Sequence, residues 1–183
     1  MESRIILYHS DEEKKCKDFI EKSDELLLSG NNKDDIWLGQ GMYFWDNLGN
    51  ANWWNNKQCN RHPDIKYCIA IANVVLNNLL DLTDFEVYTT LEKLWKQICQ
   101  KIGLDENVQL GNKLNFLFDT MGFQEQYDII KVYGKYNRTY NKGFFKFDYS
   151  SMKSEPTIGV KCIYSVRNAK CIVEKDLIKE EKS

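Results

Sequence analysis

Apolar and polar positions along the chain alternate with two different periods, and the changes of period mark the elements. Residues 5–8 form a short β-branched and aromatic run, a first strand that ends at His9. Ser10-Asp11-Glu12-Glu13 follows with the spacing of a capping box. Cys16, Phe19, Ile20, Leu26 and Leu27 continue at helical spacing, which predicts a helix leaving directly from that strand. Residues 30–35 read as a loop. Gly39-Gln40-Gly41 is a glycine-punctuated turn feeding a second strand, Met42-Tyr43-Phe44-Trp45, and the polar stretch 47–62 predicts a helix.

Residues 67–76 are nearly continuous in apolar character, with the length of a buried strand. Asp81-Leu82-Thr83-Asp84 closes that unit and offers a helix cap. Val87, Leu91, Leu94, Trp95, Ile98 and Ile102 then repeat at i+3 and i+4, the clearest amphipathic helix in the chain, and residues 110–121 predict another. Strand character returns at 127–133, 144–149, 158–166 and 171–173. Lysines and glutamates over 175–183 read as a solvated tail. The pattern predicts one α+β domain over residues 1–183, with strands at both ends and helices inserted between.

Composition narrows the possibilities. The 183 residues are 43% hydrophobic and 13% aromatic, enough for a packed core. The formal charge of −2 argues against a basic duplex-binding module. Only four arginines are present (Arg4, Arg61, Arg138, Arg167), too few and too scattered for a guanidinium-lined phosphate site such as an RNA 2′-phosphotransferase needs. The six cysteines lack paired spacing and read as reduced thiols. Cys59-x-x-His62 is the one ligand-like spacing, and with two histidines in the chain no metal is expected. Met1-Glu2-Ser3-Arg4 runs straight into the first strand, and no apolar stretch approaches the roughly 20 residues of a membrane helix, so the expectation is a cytoplasmic protein.

Three pieces carry chemistry: Tyr8-His9-Ser10; Gly39-Gln40-Gly41-Met42-Tyr43-Phe44-Trp45; and Ala51-Asn52-Trp53-Trp54. In this order they resemble the ADP-ribosyltransferase fold, in its poly-ADP-ribose-polymerase-like branch. There a His-Gly pair precedes a Gly-x-Gly-[Ile/Val/Met]-Tyr-Phe strand and a helix carrying Ala and a second aromatic. Residues 71–82 and 166–172 are similar to later segments of the small bacterial members, which act as toxins or in phage defence. The resemblance implies split mixed β-sheets around an NAD cleft. It also implies NAD+ as co-substrate, with no metal, and transfer of ADP-ribose to a macromolecule, either a protein or single-stranded nucleic acid. An antitoxin partner is implied as well.

Under that resemblance Tyr43 and Trp53 stack the nicotinamide, with Trp54 as the alternative to Trp53. Backbone groups at Ser10 pair with the carboxamide, and His9 hydrogen-bonds the adenosine-side ribose. Cleavage of the N-glycosidic bond passes through an oxocarbenium-like state, which a carboxylate stabilises. Glu155, just ahead of the late strand, is the first choice for that catalytic role beside His9 and Tyr43, and Glu125 is the second. The Phe-x-Glu-Gly of small bacterial relatives is replaced by Val132-Tyr133-Gly134-Lys135-Tyr136-Asn137, without acid. That departure keeps a second reading open: a catalytically degenerate module of the same fold that binds a nucleotide or a partner protein.

Overall fold

The computed structural model describes residues 2–22, 25–29, 37–136 and 157–178. Among them lie seven strands and four α-helices: β1 (Arg4–Glu12), α1 (Glu13–Glu21), β2 (Met42–Trp45), α2 (Leu48–Arg61), β3 (Tyr67–Val75), β4 (Leu79–Asp81), α3 (Phe85–Ile102), α4 (Leu110–Asp119), β5 (Ile129–Lys135), β6 (Val160–Val166) and β7 (Ile172–Leu177). The fold is α+β. All strands join one mixed sheet in the order β4-β5-β6-β2-β1-β3-β7, antiparallel except for the β4/β5 edge pair. No helix among the described residues is long and apolar enough to cross a membrane.

The sheet has a weak seam. β1 pairs with β3 from Arg4 opposite Val75 to Glu12 opposite Tyr67, whereas it meets β2 at a single position, Tyr8 opposite Trp45. A three-stranded wing (β1, β3, β7) thus adjoins a four-stranded wing (β4, β5, β6, β2). The expectation of split sheets is not met: the one β1/β2 register pair keeps both wings in a single continuous sheet.

Strand alternation sends side chains into two layers. On one face Leu7, Met42, Phe44, Val74 and Val166 meet Cys16 and Phe19 of α1. On the other, Trp45, Ile69, Ile130 and Ile163 meet Ala51 of α2 and Leu114 and Phe118 of α4. α3 packs outside α4 through Trp95, Ile98 and Cys99 against Leu117.

Several boundaries differ from the sequence reading. His9 does not end β1 but lies within it, because pairing with β3 continues through Glu12. That extension takes Ser10 out of the capping box: Glu12 is the N-cap of α1 and makes no side-chain cap hydrogen bond. α1 stops at Glu21, short of Leu26 and Leu27. Residues 175–177, expected in the solvated tail, belong to β7 and pair with Ala70–Ala72 of β3. The strand expected at 144–149 lies outside the described residues.

Candidate functional site

At the seam the sequence-selected residues divide between the two layers, His9 on one face and Ser10, Tyr43 and Trp53 on the other. His9 Nδ1 donates a 2.7 Å hydrogen bond to the Tyr43 carbonyl oxygen, tying β1 to β2 one residue away from their only register pair. A carbonyl can only accept, so the bond places a proton on Nδ1. Nε2 is buried and faces the Asp11 carboxylate, 3.8 Å from its Oδ2. Burial of Asp11 works to raise its pKa. Interaction with His9, a hydrogen bond from the Glu12 amide and the Lys15 ammonium outweigh that and hold it at about 2.

The imidazole leans on Phe44, ring centroids 5.5 Å apart, while alternation sends the Tyr43 ring to the other layer beside Trp45. His9 and Tyr43 therefore meet through the Tyr43 backbone and not ring to ring. Ser10 points to the Tyr43 side, its Oγ donating to Asn55 Oδ1 of α2 at 3.0 Å.

The Tyr43 ring is half-buried and its hydroxyl folds back onto the turn before β2. It donates to the Gly39 carbonyl at 2.6 Å and accepts from the Leu38 amide at 3.3 Å. The turn is held from the far side as well. Asn115 Oδ1 accepts from the Gln40 amide and from Arg167, whose guanidinium also donates to the Leu38 carbonyl. Gly39 adopts φ +69°, and a Cβ there would lie 2.1 Å from Asn115 Oδ1, so glycine is required on both counts. Arg167 stacks 4.3 Å from Phe118, and burial lowers its pKa to about 10. With Gln40, Asp119 and Gln124 it lines a surface cleft of about 140 Å³ behind the turn.

Trp53, from α2, joins an aromatic group with Trp45, Trp54 and Tyr136, at centroid distances of 5.2 to 6.2 Å from its ring. Trp37 stacks on Tyr136 at 5.9 Å. Two ammoniums face the Trp53 ring, Lys57 Nζ at 5.0 Å and Lys161 Nζ at 4.8 Å from its centroid. Lys161 is 8% exposed and donates to Asn50 Oδ1 at 2.6 Å. Asn50 in turn donates to Asp46 at 3.0 Å. Burial lowers the pKa of Lys161, with Asp46 opposing.

Of the two carboxylates proposed for catalysis, Glu155 lies outside the described residues. Glu125 is exposed on a single 3-10 turn, Phe123–Glu125, and makes no ion pair among the described residues. The ionisable side chain that β6 delivers to the aromatic group is thus Lys161, a cation. The sequence reading passed over it, although its signal was present: one lysine inside the apolar run Val160-Lys161-Cys162-Ile163-Tyr164. Asp11, Asn50 and Asn55 carry no such signal, because polar residues on strand and helix surfaces are ordinary.

The chain is 28% identical over 140 residues to an uncharacterized protein of Methanocaldococcus jannaschii. The match covers 70% of this chain and 64% of that relative's length. No protein-family model matches the chain, and no solved structure matches it.

Proposed function

We propose that the chain binds NAD+ beside the β1/β2 seam, on the sheet face that carries Ser10, Tyr43 and Trp53, and transfers ADP-ribose from it to a macromolecular acceptor. The observation that carries this reading is the Tyr43 ring, held to its own turn on the sheet face it shares with Ser10 and Trp53. His9 lies on the opposite layer: its Nδ1 holds the Tyr43 carbonyl, and its Nε2 lies 3.8 Å from the Asp11 carboxylate. His9 is therefore proposed to position the Tyr43 strand from behind, and not to bond the ribose as the family resemblance implies. Tyr43, held by its hydroxyl to its own turn, offers a ring of fixed orientation for nicotinamide stacking. The departing nicotinamide leaves positive charge on the ribose, and Glu155 is the proposed carboxylate for it.

The rival reading, a nucleotide-binding module without transfer, is favoured by one observation. The ammoniums of Lys57 and Lys161 face Trp53, where a cationic nicotinamide would be repelled. Trp53 is therefore the least suited of the proposed cofactor residues to stack that ring.

The test is nicotinamide release from NAD+ by wild type, Tyr43→Ala and Glu155→Gln, with NAD+ affinity measured by calorimetry. Tyr43→Ala is expected to weaken binding by about 1–3 kcal/mol, the cost of a lost stacking partner. Glu155→Gln is expected to keep affinity and lose on the order of 100-fold in rate. Tight NAD+ binding by a wild type that releases no nicotinamide selects the rival, and equal affinity in Tyr43→Ala removes Tyr43 from the site.

A further inference from the structure

We infer that Lys161, with Lys57 and the indole of Trp53, forms an anion site that takes the phosphate or diphosphate group of a nucleotide-class ligand. Lys161 is a charged side chain more than nine-tenths buried whose hydrogen-bond partner is a neutral amide oxygen. No carboxylate lies within ion-pair distance of it among the described residues; Asp46 reaches it only through Asn50. Among the described residues its charge is met only by the Asn50 amide and the Trp53 ring face, and an anionic ligand adds the opposite charge that burial favours. Lys57 brings a second ammonium within about 5 Å of the same ring, although like charges repel. Two cations on one indole match a group carrying more than one negative charge. Lysine serves phosphate as a point charge, without the planar fork of arginine.

The surroundings supply the rest of a nucleotide's chemistry. Trp54 faces Lys57 at 5.5 Å, and Trp37, exposed and stacked on Tyr136, extends the aromatic surface. Flat rings beside a phosphate site suit a base. The site stands apart from His9, on the other layer of the sheet, and its charge needs no nicotinamide chemistry.

The experiment titrates inorganic pyrophosphate into the full chain, read by calorimetry and by tryptophan emission. Wild type is expected to bind saturably, with affinity falling as salt rises. Lys161→Met, which keeps the apolar stem, is expected to bind at least about tenfold more weakly, and Lys57→Met to show a smaller loss. Absence of saturable binding in wild type, or an unchanged Kd in Lys161→Met, overturns the inference. If circular dichroism finds Lys161→Met unfolded, Lys57→Met decides: weaker binding upholds the site and unchanged binding overturns it. A chain that binds pyrophosphate through Lys161 yet never releases nicotinamide keeps this site while losing the transferase reading, so the two failures are separable.

Discussion

Gly39 and Gly103 have almost the same backbone conformation, φ +69° and +71°, and different surroundings. At Gly103, the C-cap of α3, nothing lies within 4 Å of the place a Cβ would take, so alanine meets only the left-handed backbone penalty. At Gly39 a Cβ would strike Asn115 Oδ1 at 2.1 Å and the Gly111 carbonyl oxygen at 2.7 Å, and the latter is backbone that cannot swing away. Gly103→Ala is therefore expected to cost about 1 kcal/mol. Gly39→Ala is expected to cost about 2–4 kcal/mol and to displace the Tyr43 hydroxyl from its carbonyl. Urea denaturation of both variants measures the difference; equal costs would mean that α4 does not hold the turn. The Gly-x-Gly spacing is visible in the sequence, but the reason for its first glycine is not, since Asn115 approaches from 76 positions later.

Among the elements, the starts of α1 and α3 differ in kind. Asp84 caps α3 through its side chain, accepting from the Glu86 and Val87 amides at 2.7 and 3.2 Å. α1 lacks any such bond and is held instead by burial of Cys16 and Phe19. Asp84→Ala should cost about 1 kcal/mol by thermal or urea unfolding, and a cost near zero would mean that packing of Trp95 and Ile98 alone sustains α3. α3 was legible because its cap and its i+3/i+4 apolar stripe agree. Ser10-x-x-Glu13 has the same local signature and failed, because a nine-residue ladder with β3 outcompeted one side-chain cap. β7 was half hidden for a related reason. It is the edge strand of the sheet, and Glu174, Lys175 and Asp176 give it the polar composition of a tail. β4, three residues long, is too short to show a period at all.

Across the whole molecule, the seam joins two wings that are each well paired internally. A single Cα register pair and one side-chain bond, His9 to Tyr43, link β1 to β2 directly. The helices on either face supply the rest of the connection. The order His9, Tyr43, Trp53 could be read from the sequence; in the fold His9 and Tyr43 meet at this junction from opposite layers, and Trp53 packs against Trp45 on the Tyr43 side. The sequence could not reveal that strand alternation separates the imidazole from the phenol, or that β6 brings a buried ammonium to Trp53. Both depend on register between strands far apart in the chain. His9→Ala removes the side-chain tie and leaves the β1/β3 ladder untouched. Global stability should fall by about 1–2 kcal/mol, the worth of one hydrogen bond and some packing on Phe44. Hydrogen exchange should accelerate most in the peptide covering Met42–Trp45, with protection over Ile69–Val74 of β3 lowered only by the global loss. Equal acceleration in both peptides would mean that the wings open as one unit and that His9 is not their tie.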